Sequence, residues 1–363
     1  MVQLHNLGPL SAALTVGFLS ITPAIAIPSP NGGQDLQSSG RRKSVEVQAH
    51  RGGLGVRPES TLYAFAHALE IGVDVLEMDA VFTKDGVPVI WHDDQISATK
   101  CKDTTGNFVG QYIVNITLAE LKTLDCGSQQ ISGHPQQKLF PGAQIQTLSE
   151  ILDLVSCVGD KSIRINLETK LSPLAPAISF PPEKYITSLV PTLRKHNMAQ
   201  RTTIQSFDWR TLVGIKKSFP DIKLVALADA TTIVPASDGT YPWLGGVDLR
   251  DFSGDWVKAA KSIGADIISP RWAVAGTTVN SPTYRPFLTE EMVRVAEKLR
   301  METVPWTLDD EVSIEDAIVK GVKGVISNYP ERVIAVANTL GIKAGKKGKK
   351  VPEKCLKNGG TRV

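Results

Sequence analysis

Two histidines stand where apolar segments end, and their positions predict a proton-transfer pair. His50 ends the segment VEVQAH and His92 ends VPVIWH, and each has a charged neighbour, Arg51 and Asp93. Imidazole titrates near neutral pH, so one ring can accept a proton while the other donates one. Cleavage of a phosphodiester needs this chemistry, because an attacking oxygen must lose a proton and the leaving alkoxide must gain one. The four other histidines lack this setting, and we expect them to be structural or surface residues.

Acidic side chains form a second candidate group. Glu77 and Asp79 lie two residues apart in VLEMDAVF, and Glu168 and Lys170 repeat this spacing in NLETK. Residues at this spacing point to the same side of a strand, and charged groups that face an interior are costly unless they are paired or bind a metal. We therefore expect Glu77, Asp79 and Glu168 to hold a divalent cation, Mg²⁺ or Ca²⁺, since both ions prefer oxygen ligands. A buried salt-bridge network with Lys170 and Arg51 is the alternative.

The elements that position these residues alternate regularly between strands and helices, which predicts an α/β fold with a parallel sheet. Eight such units close into a TIM (β/α)8 barrel, whose functional residues gather where the strands end. The predicted strands begin at Val45, Asp74, Ser162, Thr202, Lys223, Asp266, Glu302 and Lys323. An open doubly wound sheet is the alternative, but the first strand-to-helix turn, AHRGGLG, lacks the spacing of a dinucleotide-binding loop.

An inserted segment follows the second strand region. Residues 95–147 interrupt the alternation with turns and polar runs around one predicted helix at 118–124, and long insertions in compact domains are usually functional. Cys101 and Cys126 lie in this segment, and their pairing is the disulfide that we prefer. Four cysteines allow three complete pairings, however, and free thiols are also open. Asn115 begins a glycosylation sequon, Asn-Ile-Thr, in the same segment.

The ends of the chain differ in composition from the predicted barrel domain at 45–340. Residues 1–26 contain an apolar run that finishes in Ala-Ile-Ala, which predicts a cleaved secretory signal peptide and a soluble protein secreted outside the cell or into the cell wall. An uncleaved membrane anchor is the alternative. Residues 27–44 are rich in Pro, Gly, Ser and Gln and predict a disordered leader.

The charge of the chain is concentrated in a Lys-rich tail. The net charge is +3, but residues 341–363 hold eight Lys or Arg and one Glu, so the tail carries +7 and the rest of the chain −4. No nucleic-acid partner is therefore expected for the barrel. The tail is predicted to be flexible, with weak contact to an anionic surface as a further option. The sequence leaves the oligomeric state open.

The order of these motifs resembles a known family. Glycerophosphodiester phosphodiesterases, of the PLC-like phosphodiesterase superfamily, open with a signature similar to AHRGGLGVRPESTLYAFAHALEIGVDVLEMDAVFTKDGVPVIWHDD. The similarity continues through NLETK and QSF to GVISNYP and covers about residues 45–335. Two positions depart from the pattern. Ser60, a predicted helix N-cap, replaces the commoner Asn, and Asn328 stands where the family often has Asp.

The resemblance implies a metal-dependent enzyme that hydrolyses glycerophosphodiesters to glycerol 3-phosphate and an alcohol. The implied acid and base, in an order that the sequence does not decide, are His50 and His92. The implied metal ligands are Glu77, Asp79 and Glu168. The implied substrate-binding residues are Arg51, Glu59, Lys170 and Trp306.

Two other functions compete with this interpretation. Sphingomyelinase D-like phospholipases share the barrel, the two histidines and the acidic ligands, but the sequence lacks their carboxyl-terminal Ala-Thr…Asp-Asn-Pro-Trp motif. A secreted barrel that binds a partner without catalysis is the other alternative, because a fold does not imply an activity. The full set of catalytic residue types argues against a binding protein.

Overall fold

The computed structural model describes residues 42–276 and 278–356 of the 363-residue chain. The predicted signal peptide at 1–26, most of the leader at 27–44 and the tail residues 357–363 lie outside the described residues. No helix in the described ranges combines the length and the apolar character that crossing a membrane requires.

Eight parallel strands form a closed barrel. Their bounds are β1 Ser44–Ala49, β2 Val75–Phe82, β3 Arg164–Thr169, β4 Thr202–Ser206, β5 Lys223–Ala228, β6 Ile267–Pro270, β7 Glu302–Thr303 and β8 Gly324–Ser327. From β1 to β7 each strand pairs with the next, and β8 pairs with β1. The circle closes where Lys323 N donates to Thr303 O at 2.8 Å and Ile326 N to Pro305 O at 3.0 Å. The predicted TIM (β/α)8 barrel is confirmed.

A helix follows each barrel strand and returns the chain to the opposite face. The helices are α1 Leu62–Ile71, α2 Leu148–Val158, α3 Pro182–Lys195, α4 Trp209–Ser218, α5 Trp256–Ser262, α6 Glu290–Lys298, α7 Glu311–Val319 and α8 Pro330–Thr339. Many begin after a Thr or Asp whose side chain accepts a hydrogen bond from a first-turn N–H, which fixes the start of the helix. These caps are Thr61, Thr147, Asp208, Asp255, Thr289 and Asp310.

The cap of α1 differs from the predicted one. Thr61, and not Ser60, accepts the hydrogen bond from Ala64 N, at 3.2 Å. Ser60 instead has a φ of +58°, in the left-handed region, and its N–H donates to Arg51 O at 2.9 Å. Asn tolerates this region better than Ser does. The common Asn of the family at this position therefore suits the backbone conformation rather than a capping role.

Strand β2 shows how the barrel directs polar groups inward. All eight of its residues are buried, and successive side chains of a strand point to opposite faces. Leu76 and Met78 join the large apolar core that includes residues of the surrounding helices. Glu77 and Asp79 point the other way, into the barrel, where apolar packing cannot compensate their charge.

The segment after β2 folds around a small core of its own. The strand Pro88–Ile90 runs antiparallel to β2, and Gln146–Thr147 runs antiparallel to Pro88–Ile90. The short helices Ile113–Asn115 and Leu118–Leu121 lie between them, so the predicted helix at 118–124 is shorter than expected. The disulfide Cys101–Cys126 crosslinks the segment and confirms the preferred pairing. The buried residues of this core include Val81, Val89, Trp91, Ile96, Ile113, Ile116, Leu121, Leu124 and Ile145.

Much of the Lys-rich tail packs against the barrel. Lys343–Ala344 pairs in parallel with the start of β1, and Lys346 N donates to Gly72 O at 2.7 Å. Cys355 forms the second disulfide with Cys157, near the end of α2. These contacts lie on the face where the barrel strands begin. Residues 341–356 therefore differ from the flexible tail that their composition predicts.

Candidate active site

A tight turn places His50 and Arg51 directly after β1. Arg51 and Gly52 both have positive φ angles, +52° and +82°. A Cβ atom on Gly52 would lie 2.8 Å from Cβ of Ala64, so only glycine fits in this turn beside α1. The turn directs the backbone N–H of Arg51 at Glu77 Oε2, which accepts at 2.9 Å. The His-Arg-Gly motif thereby joins the end of β1 to the carboxylate on β2.

The three predicted metal ligands converge inside the barrel. One carboxylate oxygen from each of Glu77, Asp79 and Glu168 lies within 4.8 Å of the other two. All three side chains are buried, and among the described residues no hydrogen-bond donor reaches either oxygen of Asp79. Arg51 Nε lies 3.5 Å from Asp79 Oδ2. Buried carboxylate oxygens without donors fit a bound cation, and an all-oxygen ligand set suits Mg²⁺ or Ca²⁺.

The electrostatics of this group follow from its burial. Burial raises the pKa of Glu168 to about 7, and Lys170 only partly opposes this. Burial and the neighbouring Asp79 raise the pKa of Glu77 well above its ordinary value. Without a cation, the protein therefore favours protonation of part of this group, because three buried carboxylates cannot all stay ionised at low cost.

A layer of buried amides fixes the orientation of Glu77. Gln205 Nε2 donates to Glu77 Oε1 at 2.7 Å. Asn166 Nδ2 in turn donates to Gln205 Oε1 at 2.9 Å and to Gln48 Oε1 at 3.2 Å. Since Glu77 Oε2 already accepts from Arg51, each oxygen of Glu77 has one donor. The carboxylate is thus held in one orientation from both sides.

His50 is held by an amide and not by a carboxylate. Asn328 Oδ1 lies 2.6 Å from His50 Nδ1, and Asn328 Nδ2 donates to Asp309 Oδ2 at 2.7 Å. The carbonyl of Asn328 therefore faces the ring, so His50 Nδ1 carries a hydrogen and Nε2 points toward Glu77, 4.0 Å from Oε2. Burial and the adjacent Arg51 lower the pKa of His50 to about 3. His50 is accordingly a neutral ring with an exposed lone pair on Nε2.

His92 has a carboxylate partner instead. Its Nδ1 lies 2.9 Å from Asp93 Oδ1, and Asp93 Oδ2 lies 2.7 Å from Lys100 Nζ. Burial and Lys170 lower the pKa of His92, while Asp79 and Asp93 oppose the shift. The two histidines thus differ in the charge of the group behind them, and the carboxylate of Asp93 stabilises a protonated ring more than the neutral amide of Asn328 does.

Both histidines line one pocket. The polar residues that line it are His50, Arg51, Glu77, His92, Glu168 and Gln205, and the apolar ones are Phe207, Leu227, Trp306 and Ile326. Trp306 lines the pocket as the resemblance implies, and its Nε1 donates to Ser269 O at 2.9 Å. The ring of Phe207 stands edge-on to Trp306, with 5.3 Å between centroids. A polar group and an apolar chain of one small substrate can therefore be bound together.

Two of the predicted substrate-binding residues hold other residues of the site. Glu59 is 1% exposed, and its two oxygens lie 2.9 Å from Arg51 Nη1 and Lys100 Nζ. Lys170 Nζ lies 3.0 Å from Glu168 Oε1. Through these contacts Glu59 holds Arg51 and Lys170 holds Glu168 in place.

Several residues of the site were given no role in the sequence analysis. They are Asp93, Lys100, Gln205, Phe207, Asp309 and Asn328. The sequence held a signal for four of them, because Asp93 adjoins His92, Gln205 and Phe207 stand in the motif QSF, and Asn328 stands in GVISNYP. Lys100 and Asp309 reach the site from loops, and no motif in the sequence marks either of them as part of it.

Comparison with known proteins identifies the family of this chain. The model of the glycerophosphoryl diester phosphodiesterase family matches residues 50–332. The chain belongs to this family. The resemblance seen in the motifs is confirmed, and so is the prediction of a phosphoric diester hydrolase.

Bacterial members of the family are similar over nearly their whole length. The glycerophosphodiester phosphodiesterase of Caldanaerobacter subterraneus subsp. tengcongensis is 29% identical over 292 residues, which cover 79% of this chain and 96% of the relative. That of Bacillus subtilis (strain 168) is 28% identical over 324 residues, or 88% and 93% of the two chains.

Solved structures share the barrel. A crystal structure from Silicibacter pomeroyi DSS-3 is 27% identical, with a TM-score of 0.70, and the match covers 85% of this chain and 98% of that one. An Oleispira antarctica phosphodiesterase, solved in complex with the product sn-glycerol-3-phosphate, is 24% identical with a TM-score of 0.59 over 81% of this chain and 96% of that one. These matches support the (β/α)8 fold.

Proposed function

We propose that this family member hydrolyses glycerophosphodiesters to glycerol 3-phosphate and an alcohol, with the aid of a divalent cation. The observation that carries the proposal is the convergence of His50 and His92 on one pocket beside Arg51 and the buried carboxylates. The names of the Caldanaerobacter and Bacillus relatives support the substrate class. Arg51 contributes a fixed positive charge beside the pocket, where the phosphate would bind.

The two histidines divide the proton transfers. His50 accepts a proton at Nε2 from the attacking oxygen, since burial and Arg51 keep the ring neutral and the carbonyl of Asn328 engages its Nδ1 hydrogen. His92 donates a proton to the leaving oxygen, since Asp93 stabilises its protonated form. The apolar wall of Phe207 and Trp306 packs against the carbon skeleton of the substrate and excludes water from that side.

The cation would be held by Glu77, Asp79 and Glu168. When bound, it supplies positive charge that stabilises the phosphoryl oxygens. The all-oxygen ligand set supports Mg²⁺ or Ca²⁺ over the softer transition metals.

An assay on glycerophosphocholine tests the function. We expect glycerol 3-phosphate and choline as products, loss of turnover with a chelator, and a decrease of about a hundredfold to ten-thousandfold for His50→Ala. His196→Ala is the matched control, because His196 contacts Asp153 on the outside of the barrel. Choline release from sphingomyelin or lysophosphatidylcholine alone would favour the sphingomyelinase D-like activity. Turnover that survives chelation and loss of both histidines would contradict the proposed site.

The division of roles has its own test. An aryl ester with a p-nitrophenolate leaving group needs little protonation, so His92→Ala should lose far less activity on glycerol p-nitrophenyl phosphate than on glycerophosphocholine. His50→Ala should lose activity on both substrates. The reverse pattern would exchange the two roles.

We also propose that the protein is secreted, to the extracellular space or the cell wall. The support is the apolar sequence at 1–26, two disulfides, and an exposed Asn115 in the sequon. Disulfides form and persist in oxidising compartments. Expression in a secreting eukaryotic host should yield a mature chain that begins at Ile27 and loses mass on treatment with an N-glycosidase. Retention of the protein inside the cells would contradict the proposal.

A further inference from the structure

Lys100 lies between two carboxylates of the site, those of Asp93 and Glu59. We infer that it is a positioning residue for both His92 and Arg51. The inference rests on the proposed function. Lys100 Nζ lies 2.7 Å from Asp93 Oδ2 and 2.9 Å from Glu59 Oε1. It comes from the inserted segment after β2, which contributes this side chain to a site otherwise built on barrel strands and their loops.

Each carboxylate that binds Lys100 uses its other oxygen for a group that lines the pocket. Asp93 Oδ1 lies 2.9 Å from His92 Nδ1, and Glu59 Oε2 lies 2.9 Å from Arg51 Nη1. The contacts therefore form one unbroken chain from His92 through Asp93, Lys100 and Glu59 to Arg51. The ammonium group is the central member of this chain, and both ends line the same pocket.

The charges explain why a cation is needed between the two carboxylates. Glu59 is 1% exposed and cannot turn toward water. Without the ammonium group, the two carboxylates would repel each other, and one oxygen of each would lose its donor. Hydrogen bonds between oppositely charged groups are stronger than those between neutral groups. Removal of the ammonium charge should therefore loosen Asp93 and Glu59, and with them the orientations of His92 and Arg51.

The backbone around Lys100 is fixed by the insertion itself. The next residue, Cys101, forms the disulfide to Cys126. Lys102 N donates to Asp125 O at 2.6 Å and Asp125 N to Lys102 O at 3.0 Å, so the backbone is tied on the far side of the disulfide as well. The Nζ of Lys100 also lies 5.8 Å from the centroid of the Trp91 ring. These contacts hold the ammonium group in place before substrate arrives.

The test compares variants of the full chain on glycerophosphocholine. Lys100→Met should lower kcat/KM about tenfold to a hundredfold, the usual effect of removing a residue that orients the groups of an active site. Lys100→Arg, which keeps the charge, should recover most of this loss. Lys102→Met is the matched control, because the side chain of Lys102 is exposed two positions away, and it should leave kcat/KM unchanged. Thermal unfolding of each variant identifies any that fail to fold, and Lys100→Gln replaces Lys100→Met in that event.

A double variant separates positioning from general support of the fold. If Lys100 acts partly through Asp93, then Lys100→Met should lower kcat by a smaller factor in an Asp93→Asn background than in the wild type, because the contact with Asp93 is already lost and only that with Glu59 remains. A full multiplicative loss in the double variant, or a wild-type rate in a folded Lys100→Met protein, would overturn the inference. An inactive wild-type protein would instead contradict the proposed function, so the two failures are distinguishable.

Discussion

Asn328 presents its carbonyl oxygen to His50 Nδ1 at 2.6 Å, while its amide nitrogen donates to Asp309 Oδ2 at 2.7 Å. The backbone N–H of Asn328 also donates to Asp309, at 2.9 Å to Oδ1. Asp309 thus decides which end of the amide faces the ring and, through it, which nitrogen of His50 carries the hydrogen. At the position where the family often has Asp, this protein thus has an amide with a carboxylate, Asp309, behind it.

Loss of the Asn328 amide should impair catalysis without unfolding the barrel. Asn328→Ala leaves the ring of His50 free to rotate and to change tautomer, so kcat/KM on glycerophosphocholine should fall by about tenfold to a hundredfold. Steady-state kinetics measures this, with Asn338→Ala as the control, because Asn338 is exposed in α8. Equal activity of both variants would show that the amide does not orient His50.

Metal binding should release protons and weaken as the pH falls. Burial raises the pKa of Glu168 to about 7 and that of Glu77 in the same direction, and a cation binds the ionised carboxylates. The affinity should therefore be full above about pH 7 and decrease below it, since protons then compete for the same oxygens. Calorimetric titration of the protein with Mg²⁺ and with Ca²⁺, in buffers of different ionisation enthalpy, measures the protons released. An affinity that is the same at about pH 6 and about pH 8 would contradict this ligand set.

The two disulfides should differ in what they stabilise. Cys157–Cys355 closes a loop of 198 residues and Cys101–Cys126 one of 25. In the chain-entropy model their removal costs about 5 and about 3.5 kcal/mol of unfolding free energy, with smaller values usual in practice. Urea unfolding of the Cys157→Ser/Cys355→Ser variant should show the larger decrease in stability.

The same two disulfide variants should also differ in their kcat. The Cys157–Cys355 disulfide fastens the tail at the face opposite the site, so its loss should leave kcat nearly unchanged. Cys101→Ser/Cys126→Ser should lower kcat, because Lys100 adjoins Cys101. An equal effect of both pairs on kcat would contradict this separation.

Relief of backbone strain at Ser60 should stabilise the fold. Ser60 has a φ of +58°, and its buried Oγ has no hydrogen-bond partner among the described residues. Ser60→Gly removes both costs and should raise the free energy of unfolding by about 1 kcal/mol. Ser253, with a φ of +54° at an exposed position, is the comparison. Since Ser253→Gly relieves only the backbone strain, the larger gain should occur at Ser60. A destabilised Ser60→Gly variant would show that the side chain is needed for packing.

The sequence alone was sufficient for the barrel and for the convergence of four residues where its strands end. Strands that alternate with helices leave few topologies, and the ends of parallel strands meet at one face, so His50, Glu77, Asp79 and Glu168 converge as their spacing predicts. Cys101 and Cys126 lie close along the chain, and their pairing was predicted for that reason. These features depend on local periodicity and on short separations, which can be read along a sequence.

Only the tertiary structure decided what stands behind those residues. Asp309 and Lys100 reach the site from loops whose paths no local pattern specifies, and Cys355 meets Cys157 across 198 residues. The Lys-rich composition of the tail predicted flexibility because few of its residues can bury apolar surface. Composition does not show that a disulfide and a strand pairing hold the segment. Contacts between distant segments depend on how the whole chain packs, and for that reason the partners of the catalytic residues appeared only in three dimensions.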